Sequence, residues 1–358
     1  MKYLLIKIFT LISLITNAQT IDTLINVGKY KLHFTIIPGK EIPILFEAGG
    51  GNDGTVWNRI TRSVAEATGA TVITYDRPGL GKSGIDSTDM SIENDIRGLE
   101  KALEILKYQK AIMLVSHSIG GFYNTLYASR NRNTVKAIVY IDANLPCFFT
   151  QEQYEKMNAS QNFKNMVETV RKNQLPPSIP VTDIVSEKTL FYGTPDAERW
   201  KECHHNFNNV SNHKEVIAYE TGHYIFLQNS QLVINSIVTM YANDVLPSEK
   251  TKIFERAYIQ ASQADNINYK NLMNYWHSEN DLNDWGYSFF KINDLEKAIE
   301  IFKLNTLLHP NSANVYDSLG DAYLKIGNKE LAIKNYRKAL ELNPQMNSAK
   351  KALEQLVK

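Results

Sequence analysis

Cysteine is scarce in this 358-residue sequence: only Cys147 and Cys203 occur, too few for a disulfide framework or a four-thiolate zinc site. An excess of charge of one sign is missing as well. Lys plus Arg number 39 against 38 Asp plus Glu, so no net field gathers nucleic acid or an anionic membrane surface. Glycine and proline are held to 18 and 11 residues, which excludes collagen-like and low-complexity classes. Beyond the N-terminus no apolar run reaches the roughly 20 residues of a membrane-spanning helix. What is present is 43% hydrophobic and 22% charged residues. Those are the proportions of a globular protein, in a chain long enough for two domains at roughly 100–200 residues each.

Residues 1–18 differ from the rest. Met1-Lys2 is a short basic start, residues 4–15 are almost wholly apolar but for Lys7, and Thr16-Asn17-Ala18 supplies small residues before Gln19. A short apolar core followed by a small-residue site predicts a secretory signal; an N-terminal anchor or buried first helix is the alternative. The expectation is an exported protein, periplasmic or secreted, with no stable membrane span after cleavage. With Lys2 and Lys7 gone, 37 basic groups face 38 acidic ones, so the charge stays near zero. Outside the cytoplasm Cys147 and Cys203 could bridge, or remain two packed thiols; sequence supplies no Cα separation to decide.

From about 30 to 240, β-branched runs alternate with helical patterns. Strands are predicted over 31–37, 43–47, 71–76, 111–116, 136–142, 181–185 and 215–219, and helices over 57–68, 92–106 and 120–129. Continuously apolar strands such as Ala-Ile-Met-Leu-Val suit a sheet covered on both faces, and the alternation argues a mostly parallel α/β sheet. The rhythm breaks at 145–178, read as a helical insertion. Near the C-terminus a shift of 34 residues superposes Gly286 on Gly320, Phe289 on Tyr323, Ala298 on Ala332, Phe302 on Tyr336 and Pro310 on Pro344. That period, with small residues and aromatics so placed, resembles tetratricopeptide helix pairs over about 282–344. Two repeats are fewer than the three usually needed alone, so they are expected to pack on 251–276 or on the first domain.

The chemistry is concentrated in Ser116-His117-Ser118-Ile119-Gly120-Gly121, directly after a strong strand. It is the G-x-S-x-G turn with Ser116 in the first glycine position, a sharp strand-to-helix reversal that lifts the central serine above the sheet. A serine nucleophile needs a base and oxyanion donors. His223, in Glu220-Thr221-Gly222-His223-Tyr224 beyond the last strand, is the candidate base, and His117 is read as a wall of the site. The Ile119 N–H is one donor. The other comes from Ala48-Gly49-Gly50-Gly51-Asn52-Asp53-Gly54, where Gly50 is the choice, with Gly51 behind it. Cys203-His204-His205 is read as a packed or solvated helix, since neighbouring helical histidines diverge and no companion ligands are spaced nearby.

These features together resemble the α/β-hydrolase superfamily, specifically lidded esterase-like and peptidase-like members, across about 30–243. Tyr75-Asp76-Arg77-Pro78-Gly79-Leu80-Gly81-Lys82-Ser83 resembles that family's loop after the fourth strand. Its P-loop-like ending lacks the required first glycine, occupied by Asp76, and Asp76 and Arg77 are read as bracing turns near the site. The resemblance implies an α/β-hydrolase fold with a helical lid insertion, followed by an all-α tetratricopeptide-like domain. The expected division is 1–18 signal, 19–245 hydrolase with a lid at 145–178, 246–281 helical linker, and 282–358 repeats with a capping helix. It implies a triad enzyme cleaving a carboxylic ester or amide, with no cofactor and no metal, acting on a small-molecule acyl substrate. An aspartate nucleophile of the dehalogenase or epoxide-hydrolase kind is excluded if Ser118 occupies the turn. The acid departs from the commonest pattern: no Asp follows the 181–185 strand closely. Asp142, after the sixth strand, matches a variant of the family; Glu187, Asp183 and Asp196 are the alternatives. The competing reading is an inert hydrolase fold serving as an interaction module that binds a protein partner through the repeats.

Overall fold

The computed structural model describes residues 19–264, 279–291 and 293–356. The expected signal segment lies outside the described residues, as does 265–278 within the expected linker. Eight strands form one sheet: β1 (Ile21–Asn26), β2 (Lys31–Ile37), β3 (Glu41–Glu47), β4 (Ala70–Tyr75), β5 (Ile112–His117), β6 (Val135–Ile141), β7 (Val181–Lys188) and β8 (His213–Gly222). Their order is β1-β2-β4-β3-β5-β6-β7-β8. β1, β2 and β4 pair antiparallel, and every pairing from β4–β3 to β7–β8 is parallel.

The continuous apolarity of the central strands has a direct cause. Successive side chains of a strand point to opposite faces, and both faces are covered. Phe46, Val115 and Val139 face one core, with α1 (Asn58–Thr68) and α8 (Ser230–Met240). Leu45, Leu114 and Ile138 face the other, with α2 (Ile92–Ile105) and α3 (Gly120–Arg130). The insertion after β6 contains a 3₁₀ turn (Pro146–Phe148), α4 (Gln151–Lys156) and α5 (Gln161–Lys172). It seals the second core with Phe148, Phe149, Tyr154 and Val167, together with Trp200 and Cys203 of α6 (Pro195–Phe207). Cys147 and Cys203 form a disulfide with Cα atoms 5.7 Å apart, which closes the alternative the sequence left open.

After the short α7 (Ile225–Gln228) and α8, the chain makes a π turn (Tyr241–Val245) into α9 (Lys250–Ala264). Arg256 of α9 donates from Nε to the Ala67 carbonyl at 2.8 Å and from Nη2 to the Thr68 carbonyl at 3.0 Å. It thus supplies a cation to the buried terminal carbonyls of α1. The helices α10 (Glu279–Lys291), α11 (Leu295–Leu308), α12 (Ala313–Lys325), α13 (Lys329–Leu342) and α14 (Asn347–Leu356) follow. Phe254, Leu282, Phe302 and Tyr336 belong to the same apolar core as the α1 face of the sheet, so the repeats share a core with the first domain. The 34-residue period is a packing rule here: a Cβ on Gly320 would lie 2.7 Å from the Tyr336 ring, and Gly286 meets Phe302 in the same way. No helix among the described residues is long and apolar enough to cross a membrane.

Candidate active site

β5 runs buried to His117 and the chain then reverses into α3. Ser118 sits at the reversal with φ 54°, a left-handed conformation that costs a non-glycine residue about 1 kcal/mol or more. It is half-buried, while its neighbours at the end of β5 are enclosed. Small residues around it have steric reasons. A Cβ on Gly120 would stand 2.8 Å from the Glu47 and Ala48 carbonyl oxygens, and one on Gly49 would stand 2.6 Å from His117 Nδ1. The serine turn and the glycine loop after β3 therefore meet backbone against backbone.

Asp142 follows β6 directly, also at positive φ (44°). Its carboxylate is completely buried and collects four donors. His223 Nδ1–H donates to Oδ2 at 2.7 Å and Ser186 Oγ–H to the same oxygen at 2.9 Å. The Ser186 N–H and Trp200 Nε1–H each donate to Oδ1 at 3.1 Å. Burial alone would raise the carboxyl pKa. The hydrogen bond and charge of His223, the charge of His204 and the Ser186 amide outweigh it and leave Asp142 below the ordinary value. With its Nδ1 proton committed to the carboxylate, His223 keeps Nε2 as a proton acceptor. No hydrogen bond joins the Ser118 hydroxyl to His223 among the described residues.

The other acids lie elsewhere. Glu187 accepts from the Glu220 N–H at 2.7 Å in an exposed setting. Asp183 is buried against His204 Nδ1 (2.7 Å) and Asn208 Nδ2 (2.8 Å). Asp196 pairs with Arg199 at 2.7 Å. Of the four candidates, Asp142 alone contacts His223. The Ile119 and Gly50 N–H groups donate to no other group of the chain among the described residues, and a Cβ on Gly50 would come 3.8 Å from Ile119 Cγ2. The two free donors thus flank the serine turn. The Cys203-His204-His205 run is dispersed into a disulfide, the buried Asp183 pair and an exposed contact of His205 with Glu215 at 3.1 Å.

Three residues enter the site to which the sequence assigned no role in holding Asp142 or His223. Ser186 and Trp200 hold Asp142, and their only advance signal is that a buried indole N–H or hydroxyl must find a partner. His117 does more than line the site. Its Nε2–H donates to the His223 carbonyl at 3.0 Å and its ring lies against that of His223, centroids 4.4 Å apart. Burial, then the nearby His223, depresses the His117 pKa to about 3. The consequence for stability has a definite sign. Between about pH 6.5 and pH 3 the unfolded chain protonates this histidine and the native one does not. Stability is therefore lost as pH falls, by about 1.4 kcal/mol per pH unit from this group. Asp95, raised by burial to about 6, acts in the opposite sense, because the native carboxyl takes up its proton first. Urea unfolding of His117→Gln and Asp95→Asn at pH 5 and pH 7 separates them. The first variant is expected to flatten the acid loss and the second to steepen it; an unchanged slope in His117→Gln refutes the assignment.

Residues 42–181 match the family described as "alpha/beta hydrolase fold", and residues 313–346 match "Tetratricopeptide repeat". Over 128 residues (36% of the chain), the sequence is 30% identical to the uncharacterized protein YqjL of Bacillus subtilis (strain 168). Over 72 residues (20%), it is 36% identical to the uncharacterized protein C23C11.06c of Schizosaccharomyces pombe. The matches span 50% and 14% of those relatives' own lengths. Among solved structures, an epoxide hydrolase, CorEH, is similar at 16% identity and TM-score 0.46, covering 63% of this chain and 99% of its own. An esterase from Exiguobacterium antarcticum is similar at 16% identity and TM-score 0.48, covering 61% and 98%. The chain has an α/β-hydrolase fold followed by a tetratricopeptide-like helical region.

Proposed function

We propose that this protein is a serine hydrolase that cleaves a carboxylic ester or amide of a small acyl substrate through an acyl-enzyme. The observation that carries the reading is the 2.7 Å bond from His223 Nδ1 to the buried Asp142 carboxylate, formed beside a serine held at φ 54°. Ser118 Oγ attacks the carbonyl carbon as His223 Nε2 takes its proton. The negative charge that develops on the carbonyl oxygen is met by the Ile119 and Gly50 N–H groups. The imidazolium, stabilised by Asp142, then protonates the leaving alkoxide or amine. Water, deprotonated by the same nitrogen, releases the acid and restores Ser118. The missing Ser118–His223 hydrogen bond accords with a free enzyme, in which catalytic hydrogen bonds are commonly loose until substrate binds.

Incubating the purified chain with a fluorophosphonate probe tests this. One adduct per chain is expected, mapped by peptide mass spectrometry to Ser118, and none in Ser118→Ala. A folded wild-type protein that takes up no probe would instead leave the inert interaction module as the reading.

A further inference from the structure

We propose that Arg77 is a positioning residue for the oxyanion donor: it holds the Ala48 and Gly49 carbonyls and thereby turns the Gly50 N–H toward Ser118. The proposal rests on the serine-hydrolase reading above and adds a residue to it.

The loop after β3 has a problem of its own composition. Four of the seven residues 48–54 are glycine, which suits close approach to the serine turn but leaves the peptide planes without side chains to fix them. An oxyanion donor is effective only if it is aimed before charge develops. Within the loop the restraint is weak: the Asn52 N–H reaches the Gly49 carbonyl, and Asn52 Nδ2 the Gly50 carbonyl, both at 3.3 Å. Arg77, just beyond β4, adds shorter, charged bonds. Its side chain is almost fully buried. Nη1 donates to Glu47 Oε1 at 2.6 Å and also to the Ala48 carbonyl, while Nη2 donates to the Gly49 carbonyl at 2.6 Å. In a trans peptide the C=O and the following N–H point in opposite directions. Tying the Gly49 oxygen to the guanidinium therefore sends the Gly50 N–H away from Arg77. The far side is the serine turn: a Cβ on Gly49 would face His117 Nδ1 and lie 3.4 Å from Ser118 Cβ.

The guanidinium is itself braced. The Tyr75 hydroxyl donates to the second oxygen of Glu47. The Tyr123 ring of α3 lies 4.9 Å from Arg77 Cζ, and its hydroxyl donates to Asp95 of α2 at 3.0 Å. A buried ion pair is a poor source of stability, because desolvation offsets much of its attraction. What Arg77 provides that an apolar residue of similar volume would not is the fork of donors spanning two consecutive carbonyls.

Arg77→Lys keeps the charge beside Glu47 but replaces the fork with one ammonium, and Arg77→Gln removes the charge. Both are compared with wild type using p-nitrophenyl acetate, a trifluoromethyl ketone whose serine adduct carries an oxyanion, and the matching alcohol, which forms none. The expected result is a fall in kcat/KM of about 10- to 100-fold. The ketone inhibition constant should rise by the same factor, while the alcohol constant and the pH of half-maximal activity stay unchanged. Equal weakening of ketone and alcohol, or a folded Arg77→Lys with wild-type kcat/KM, overturns the proposal. If neither variant folds, Glu47→Gln, which loosens the anchor of the guanidinium, is read with the same two inhibitors; a loss of several-fold confined to the ketone is expected, and no selective loss overturns it. Fluorophosphonate labelling of wild-type Ser118 tells the two readings apart. Unlabelled wild type removes both, whereas labelled wild type with unselective inhibitor loss removes only the role of Arg77.

Discussion

Asp142→Asn is expected to fold and to lose about 10⁴-fold in kcat, the scale seen when a triad carboxylate becomes an amide. The reason lies in the four donors around that side chain. His223 Nδ1, Ser186 Oγ, Ser186 N and Trp200 Nε1 all point hydrogens at its two oxygens, and a carboxylate can accept all of them. An amide has one oxygen. Its NH₂ must face either the Ser186 and His223 pair or the Ser186 amide and Trp200. In the first case His223 is driven to bare Nδ1 and protonated Nε2, and cannot accept from Ser118. In the second, two buried donors lose their acceptor, costing about 1–3 kcal/mol each. Volume is preserved, so the core should not collapse. Glu187→Gln is the control: its carboxylate bonds the Glu220 N–H at the surface and never meets His223, so kcat should stay within about threefold of wild type. Steady-state ester turnover, with melting curves to show that both variants are folded, decides the matter. Wild-type turnover in Asp142→Asn would remove Asp142 from the mechanism.

Why Ser118 and His223 were legible, and the environment of Asp142 was not, follows from how far each signal travels along the chain. The serine turn is local: an apolar strand, small residues two positions either side, and a helix beginning at once. The strands around it were legible for a related reason. β5 and β6 are buried on both faces, with Leu114 and Val115 serving different cores, so their apolarity is unbroken. β1 was missed because it is an exposed edge strand whose Asp22, Thr23 and Asn26 interrupt the pattern, and it is held mainly by its register with β2. Asp142 meets His223 only because β6, β7 and β8 lie side by side in register, Ile141 beside Ile184 and Ile184 beside Val216. Its positive φ then turns it across the strand ends. Trp200 reaches Asp142 from 58 residues away, on a helix that runs between β7 and β8. Such contacts are set by topology, and no local spacing encodes them. Arg77 falls between the cases: its loop suggested a brace, but which carbonyls it holds depends on the adjacency of β3 and β4.

Opening the Cys147–Cys203 bond is expected to have the largest effect on stability. The bond closes a sequence separation of 56 residues, for which chain entropy in the unfolded state gives about 4 kcal/mol, an upper figure since native strain and residual structure reduce it. For a domain of this size that corresponds to roughly 10 °C in Tm. The consequences should reach the active site, because α6 carries more than the cysteine. Trp200, one turn before Cys203, donates to Asp142, and His204, the next residue, is paired with Asp183 of β7. Freed from the turn at 146–148, α6 loses a covalent anchor to the segment that follows β6, and the hold of Trp200 on the acid weakens before the whole domain melts. The Cys147→Ser/Cys203→Ser double variant should therefore melt about 10 °C lower. Its kcat should match wild type at low temperature and decline earlier on warming than its own unfolding curve. Wild type treated with reductant should copy that behaviour, and the double variant should be indifferent to reductant. Calorimetry and turnover on oxidised, reduced and double-variant protein test both halves. If reduction moves neither Tm nor the temperature of activity loss, the bond supports neither α6 nor the acid. A shift in Tm with activity tracking global unfolding would leave the bond as a staple alone.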